Sequence, residues 1–275
     1  MKLQQLTGAI GARITGADIR NAEDVAAIRQ AFIDHAVVTV AGQDAVSPDD
    51  HIAFAEAFGT INVNRFFKAV ESHPKVAEVL KEPDQKAAIG EDWHTDHSYD
   101  SEPAMCSILR AIELPPHGGD TCFVSMYAAY DALSDRFKEM LDGMHAWHSS
   151  RHAFGAASAD HESTKTGRIG NADKATQDTR HPIVITHPLS GRKALYVNPG
   201  FTIGIDGMTS AEGDAILQFL YAHCKNPDFQ CRVSWQQGDL TMWDNRATWH
   251  KAVNDYHGYR RYMHRITVEG CALTA

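Results

Sequence analysis

The sequence lacks paired cysteines, long apolar runs and any excess of positive charge. Its five cysteines are scattered, odd in number and without a C-x-x-C spacing, which is typical of free thiols in a reducing compartment and predicts a cytoplasmic location. No stretch has the apolar length of a membrane helix, and the N-terminus has no apolar signal-peptide core. The net charge of −9 argues against nucleic acid and against a membrane surface as partners.

The composition is that of an ordinary globular protein. With 275 residues, 43% of them hydrophobic and 22% charged, the chain is long enough to bury a sizeable core. No internal repeat and no linker divides it. We therefore expect a single domain over residues 1–275.

Strand signals outnumber helix signals. Helices are predicted over Glu23–His35, from a cap at Ser47, over Met126–Leu141 and from a capping box at Thr209. The strand candidates are Ala36–Ala41, Ala104–Ile112, Thr121–Val124, Met144–Ser150, Pro182–Thr186, Ala194–Val197, Cys231–Trp235, Asp239–Trp243 and Met263–Glu269. This pattern predicts a mainly β fold with flanking helices, either a β-sandwich or a jelly roll. A doubly wound α/β sheet is the alternative, but the helices are too few and no glycine-rich phosphate motif is present.

Two polar stretches are predicted to be loops. Ala156–His181 is nearly free of large apolar residues and long for a connection inside a compact domain, so it is either a lid or disordered. Lys81–Asp92, which ends two residues before His94, is predicted to be a second mobile edge.

The predicted site centres on Gly90–Asp100, with the sequence GEDWHTDHSYD. In an extended segment His94 and Asp96 point to the same face, whereas His97 points to the opposite face and is left out of the ligand set. An imidazole and a carboxylate are two thirds of a 2-His-1-carboxylate site, which suits non-haem Fe(II) and leaves positions open for reactants. Because the chain has 16 histidines, one His-x-Asp pair is expected by chance. His250, from a later strand, is the candidate third ligand.

Five motifs together resemble the family of taurine dioxygenase and aryloxyacetate dioxygenase, the TauD/TfdA-like Fe(II)- and 2-oxoglutarate-dependent dioxygenases. They are WHTD (Trp93–Asp96), GGDT (Gly118–Thr121), GRKALYVN (Gly191–Asn198), WDNRATWH (Trp243–His250) and RRYMHR (Arg260–Arg265), in the order of the family. The resemblance implies a double-stranded β-helix, which is a cupin-like jelly roll. It also implies that His94, Asp96 and His250 are the iron ligands and that O2 is a co-reactant.

The resemblance also implies where the cosubstrate binds. Thr121 and Arg261 are expected to bind the distal carboxylate of 2-oxoglutarate. Arg265 is expected to meet its inner carboxylate and an anionic group of the substrate, because a guanidinium can bind a carboxylate through two parallel hydrogen bonds. The implied reaction hydroxylates the substrate and releases succinate and CO2. Such a hydroxylation can lead to cleavage of a C–O or C–S bond.

The expected substrate is a small organic anion. Arg65 together with Arg265 favours an anionic group, and Phe66 and Phe67 could line an aromatic wall, although core packing explains these rings equally well. Taurine dioxygenases carry a histidine upstream of WHTD that contacts the sulfonate. The comparable stretch here, residues 62–67, has none, which argues against taurine itself. The other partner that we expect is a second copy of the chain in a homo-oligomer.

Two further classes of function use part of the same residues. A zinc hydrolase built on the same triad leaves Thr121 and the two arginines without a role. A metal-free jelly-roll binding module leaves the triad itself without a role. Release of succinate from 2-oxoglutarate that depends on added Fe(II) distinguishes all three.

Overall fold

The computed structural model describes residues 1–275, the whole chain. The α-helices are α1 (Ala22–His35), α2 (Pro48–Glu56), α3 (Met126–Asp131), α4 (Asp135–Leu141), α5 (Arg151–Phe154), α6 (Glu162–Lys165) and α7 (Ser210–Cys224), with short 3-10 turns at Ala156–Ser158, Ala172–Lys174 and Pro227–Phe229. The predicted caps are present, since Ser47 and Thr209 each form a reciprocal capping box at the start of α2 and α7. No helix reaches the length and apolar character that a membrane crossing requires.

Strands make up most of the framework. They are β1 (Lys2–Gln5), β2 (Ala12–Thr15), β3 (Val37–Val40), β4 (Ile61–Asn62), β5 (Ala69–Val70), β6 (His73–Lys81), β7 (Cys106–Glu113), β8 (Thr121–Ser125), β9 (His145–Ser149), β10 (Asp178–Pro182), β11 (Val184–Thr186), β12 (Lys193–Leu195), β13 (Thr202–Ile205), β14 (Gln230–Val233), β15 (Leu240–Asp244), β16 (Thr248–Ala252) and β17 (Arg261–Val268). The mainly β fold with flanking helices is confirmed.

One large sheet faces several small ones. The large sheet has the order β1-β2-β3-β15-β7-β17-β6-β5, with β4 paired to β17, and is antiparallel except for the β2–β3 pair. The small sheets are β14-β8-β16, β10-β9-β13 and β11-β12. Strands from both ends of the chain meet in the large sheet, and the last of them, β17, carries most of the last candidate motif, RRYMHR.

Alternate residues of the central strands point into two different cores. Val38 and Ile108 lie on the face of the large sheet that packs against α1 and α2. Val37 and Leu109, each one position away, lie on the opposite face and pack against the small sheets. This is the period-two alternation of a sheet that is covered on both sides. The candidate site lies beside the second of these cores.

The predicted helix Met126–Leu141 is wrong as a single element. It is divided into α3 and α4 by Ala132, Leu133 and Ser134, and the Ser134 hydroxyl accepts a hydrogen bond from the Phe137 N–H at 3.4 Å. A serine side chain competes with the helical backbone for hydrogen bonds, and it therefore favours a new N-cap over a position inside a helix.

Several strands were not predicted from the sequence. β6, β13 and β16 have no clean alternation of apolar and polar residues, and their ladders are supplied by partners far away in the chain. The predicted loop Ala156–His181 is also wrong at its end, because Asp178–Pro182 pairs with β9 to form β10. Tertiary pairing decides the state of such weakly patterned segments.

Candidate active site

A cavity of about 660 Å³ opens between the large sheet and the β14-β8-β16 sheet. The strand residues in its wall include Val79, Leu109, Thr121, Trp243, His250, Arg261 and Arg265. Residues of the predicted loops Lys81–Asp92 and Ala156–His181, and of the turn that carries the WHTD motif, complete the wall of the cavity. The three candidate metal ligands and the three candidate cosubstrate residues therefore share one cavity.

Two histidines are held opposite each other by an antiparallel bridge. The backbone N–H of His94 donates to the His250 carbonyl at 3.1 Å, and the N–H of His250 donates to the His94 carbonyl at 2.9 Å. Directly opposed residues project to the same side of a ladder, and the two ring centroids are 4.1 Å apart. His94 Nδ1 donates to the Asp92 carbonyl at 2.7 Å, which leaves Nε2 as the ligand atom.

Asp96 completes the group from the turn that follows the bridge. Its Oδ2 accepts a hydrogen bond from Ser107 Oγ at 2.7 Å and lies 3.0 Å from Arg265 Nη2. Asp96 Oδ1 is 3.7 Å from His94 Nε2, and Oδ2 is 3.6 Å from His250 Nε2. The three ligand atoms lie within 4.8 Å of one another. These separations are too long for hydrogen bonds, but they leave room for an ion bonded to all three at about 2 Å.

The protonation of the group suits a cation. Burial opposes ionisation of Asp96, but Arg265 and then the two histidines outweigh burial and hold the pKa of the carboxyl well below its ordinary value. Burial, together with the neighbouring His94 ring, lowers the pKa of His250 well below its ordinary value. An ionised carboxylate and a neutral imidazole are the forms that bind a metal ion. Two nitrogens and one oxygen are also the donor set that suits Fe(II) and leaves coordination positions open.

A second polar end of the cavity lies around Arg261. Its Nε donates to the Gly119 carbonyl at 3.1 Å, while Nη2 is buried without a hydrogen-bond partner. Thr121 Oγ1 accepts from Trp235 Nε1 at 3.0 Å, so the threonine hydroxyl proton is free to donate. Burial lowers the pKa of Arg261, and a buried guanidinium is stabilised when an anion pairs with it. This end of the cavity therefore fits a carboxylate.

The GGDT motif allows the backbone to approach Arg261 closely. Gly119 has a φ of +70°, a conformation that side chains rarely adopt, and a Cβ there would lie 3.1 Å from Arg261 Cδ and Nε. A larger residue at this position would displace the guanidinium. The second glycine of the motif is thus explained by the packing of the arginine.

Arg265 lies between the metal ligands and an aromatic wall formed by Phe67, Phe154 and Phe201. Its guanidinium carbon is 5.1 Å from the centre of the Phe67 ring, within the range of a cation–π contact. Its Nη2 contacts Asp96, and its Nε is buried without a hydrogen-bond partner. Arg265 is therefore available to an anionic group close to the metal position.

Arg65 and Phe66 do not line the cavity, which corrects their predicted roles as substrate contacts. Arg65 Nη2 lies 2.6 Å from both carboxylate oxygens of Asp100, so its charge is already paired. Phe66 is only 1% exposed and stacks on Phe154 with centroids 4.3 Å apart. The following residue, Phe67, lines the cavity instead. Phe66 is a core residue, as the competing interpretation of the sequence held.

The sequence did not indicate several residues that line the cavity or contact a metal ligand. His97 lines the cavity together with Asn64, because a left-handed backbone conformation (φ 58°) redirects its side chain. Phe201 adds another aromatic surface. Ser107 holds Asp96, yet nothing in the sequence distinguishes it from any other strand serine. The position of His97 directly after Asp96 could have indicated its place in the site. It was assigned to the opposite face because strand periodicity was assumed, and this periodicity does not hold in a turn.

The segment Ala156–His181 covers one side of the cavity. Residues 161–163 and Ile169 line it. The Glu162 carboxylate accepts hydrogen bonds from the backbone N–H groups of Lys86 and Ala87 at 2.9 and 2.6 Å. Arg168, which is 6% exposed, donates to the carbonyls of Leu80 and Ala87 at 3.2 and 3.0 Å. The two predicted loops therefore contact each other across the cavity edge.

Comparison with known proteins agrees with this geometry. The family model described as taurine catabolism dioxygenase TauD, TfdA family, matches residues 2–267. An alkylsulfatase from Acinetobacter baylyi is 31% identical, over 98% of this chain and 85% of that protein. The alpha-ketoglutarate-dependent 2,4-dichlorophenoxyacetate dioxygenase of a Burkholderia species is 34% identical, over 95% of this chain and 89% of that protein. The solved structure of a taurine dioxygenase from Burkholderia xenovorans superposes with a TM-score of 0.83 at 30% identity, covering 100% of this chain and 92% of that one.

The fold and the site therefore define an Fe(II)- and 2-oxoglutarate-dependent dioxygenase with a jelly-roll fold. The chain belongs to the TauD/TfdA family. Fe(II), 2-oxoglutarate and O2 are its cofactor and cosubstrates. Family membership decides against the zinc hydrolase and the metal-free binding module.

Proposed function

We propose that His94, Asp96 and His250 hold Fe(II), and that Arg261 with Thr121 binds the distal carboxylate of 2-oxoglutarate. The observation that carries this proposal is the triad of ligand atoms within 4.8 Å, in the same cavity as a buried guanidinium with an unpaired nitrogen. Bound iron, with 2-oxoglutarate and O2, supplies the oxidant that hydroxylates a substrate C–H bond and releases succinate and CO2. The protein's own task is to orient both molecules and to exclude water.

The proposed substrate is a small organic anion, bound with its negative group near Arg265 and its carbon skeleton against Phe67, Phe154 and Phe201. Arg265 has a buried Nε without a hydrogen-bond partner and faces this aromatic wall. The names of the two relatives point the same way, since alkyl sulfates and 2,4-dichlorophenoxyacetate are both anions. Hydroxylation of the carbon next to the ester or ether oxygen would give an unstable product, and its collapse would cleave the C–O bond.

Three broader predictions accompany this function. A single domain over residues 1–275 is supported by the large sheet, which joins strands from Lys2 to Val268. A cytoplasmic location is supported by five cysteines that are all free. The homo-oligomer stays a prediction from the sequence.

The proposed function is tested by measuring succinate formation with a panel of alkyl sulfates, aryloxyacetates and alkyl sulfonates, taurine included. We expect turnover that requires Fe(II), 2-oxoglutarate and O2 together and that is stimulated by at least one anion of the panel. Neutral analogues of the same shape serve as controls. Substrate cleavage that proceeds without O2 and with Zn(II) in place of Fe(II) would contradict the proposal.

A further prediction concerns the predicted lid Ala156–His181, of which residues 156–177 lie outside β10. Because Glu162 and Arg168 tie it to residues 80–87 at the cavity edge, bound iron, 2-oxoglutarate and substrate together should lower its cleavage by protease several-fold. Arg168→Ala should raise cleavage in the free protein, whereas Arg136→Ala, which removes an exposed ion pair on α4, should not. Equal cleavage of free and fully bound protein, measured by mass spectrometry, would show that the segment does not close.

A further inference from the structure

His97 has an uncommon backbone conformation next to a metal ligand. Its φ is 58°, in the left-handed region, and its side chain is only 2% exposed and lines the cavity. Glycine adopts this conformation most easily, and a residue with a side chain is retained there at some cost. The turn after Asp96 therefore carries an imidazole where glycine would satisfy the backbone better. This indicates that the side chain is used.

The His97 ring is held in one orientation by charged residues behind it. Nδ1 lies 2.9 Å from Asp100 Oδ2, and both oxygens of Asp100 are also 2.6 Å from Arg65 Nη2. Since Nδ1 donates to the carboxylate, Nε2 is the atom that faces Asn64 Nδ2, and an amide NH2 is a donor, so Nε2 is the acceptor of that contact. Arg65, which the sequence analysis placed in contact with substrate, thus supports the histidine from outside the cavity.

Asn64 is fixed with its amide nitrogen towards the same ring. Its Oδ1 accepts hydrogen bonds from the backbone N–H groups of Phe66 and Phe67, each at 2.9 Å. This network assigns the NH2 group to the opposite side, where Nδ2 lies 3.5 Å from His97 Nε2. That distance is at the outer limit for a hydrogen bond. A donor and an acceptor therefore stand side by side at the cavity wall, only weakly satisfied by each other.

We propose that His97 and Asn64 form a specificity-determining pair for a substrate group that both donates and accepts a hydrogen bond, such as a hydroxyl. The hydroxyl proton would be donated to His97 Nε2, and its oxygen would accept from Asn64 Nδ2. This inference rests on the proposed function, because the ligand must be the substrate of the same cavity. The substrate would then meet three requirements. It carries an anionic group for Arg265, a carbon skeleton that packs against the aromatic wall, and a hydroxyl on that skeleton.

The test compares matched ligands that differ by one hydroxyl. The probes are phenoxyacetate and its three ring-hydroxylated isomers, together with a short alkyl sulfate and its hydroxylated isomers. For at least one hydroxylated isomer, kcat/KM should exceed that of its parent by about tenfold, since each neutral hydrogen bond is worth roughly two- to tenfold. Binding to the metal- and 2-oxoglutarate-loaded protein without O2, measured by calorimetry, gives the same ratio independently of turnover.

The decisive variant is His97→Gly, which deletes the ring and suits the backbone conformation. In both measurements this variant should show the same value for the hydroxylated isomer and for its parent. Ala36→Gly is the matched control, because Ala36 has a φ of 59° but lies at the end of α1 outside the cavity. That control should keep the wild-type preference.

The role of Asp100 is tested separately, as a positioning residue. Asp100→Asn should raise KM for the hydroxylated isomer more than it lowers kcat, because the ring loses its fixed orientation. A wild-type protein without any hydroxyl preference in either measurement, or a preference that survives in His97→Gly, would overturn the proposal. Absence of succinate formation with every ligand, beside a hydroxyl preference in calorimetry, would instead contradict only the proposed oxygenation.

Discussion

His94→Ala, Asp96→Ala and His250→Ala are each expected to abolish Fe(II)-dependent succinate formation and to weaken Fe(II) binding sharply. A three-ligand site has no donor to spare, and the bridge between His94 and His250 holds the two rings so that no other side chain takes their place. Iron content after dialysis and succinate release are the two measurements. His117→Ala, which removes an exposed histidine, is the control.

A graded response is expected at Ser107. Its hydroxyl donates to Asp96 Oδ2 and so orients the carboxylate without being a ligand. Ser107→Ala should cost roughly 10–100-fold in metal affinity or activity, which is typical of residues that orient a ligand.

EDTA should inactivate the native protein, and Fe(II) should restore its activity better than Zn(II). Full activity in any one of the three ligand variants would remove that residue from the triad.

The part of the site that could be predicted from the sequence is the part carried by motifs with fixed local geometry. His94 and Asp96 are two residues apart, and even though Asp96 lies in a turn, the short separation keeps their side chains together. Arg261 and Arg265 lie on one strand, β17, so their presence in one cavity follows from strand parity. His250 could be assigned as a ligand only from the resemblance to the family, because no local pattern in the sequence shows that β16 runs beside His94.

The part that could not be predicted depends on contacts between distant segments. Arg65 looked like an anion-binding residue because a sequence cannot show that Asp100 neutralises it. His97 was assigned to the wrong face because strand alternation was extended into a turn with a left-handed residue. Phe66 and Phe67 were equivalent in the sequence, and only the stacking of Phe66 on Phe154 separates them.

The two arginines of β17 are expected to give different kinetic defects. Arg261 is proposed to hold the distal carboxylate of 2-oxoglutarate, a group common to every reaction of the enzyme. Removing one partner of a buried charge pair typically costs about 2–5 kcal/mol, which at about 1.4 kcal/mol per tenfold is tens to thousands in affinity. Arg261→Ala should therefore raise KM for 2-oxoglutarate by that order with every substrate. Arg180→Ala, which breaks an exposed pair with Asp206, is the control.

A shorter keto acid sharpens the test of Arg261. Pyruvate lacks the distal carboxylate, so in the native enzyme it leaves the guanidinium of Arg261 buried and unpaired. In Arg261→Ala that penalty disappears, and the disadvantage of pyruvate relative to 2-oxoglutarate should shrink accordingly. Unchanged dependence on 2-oxoglutarate in this variant would show that the distal carboxylate binds elsewhere.

Arg265→Ala should reduce substrate turnover more than 2-oxoglutarate affinity, and anionic substrates should suffer most. The guanidinium is 3.0 Å from Asp96 Oδ2, so its loss removes both a proposed substrate contact and the charge that does most to keep the pKa of Asp96 low. Because Arg265 is also expected to meet the inner carboxylate, a smaller rise in KM for 2-oxoglutarate accompanies the defect. Arg265→Lys should restore only part of the activity, since a point charge cannot reach Asp96 and a substrate anion in the fixed geometry of a guanidinium. Full turnover of an anionic substrate by Arg265→Ala would assign the anion to another group of the cavity wall, such as His152 of α5 or His161 of the segment Ala156–His181.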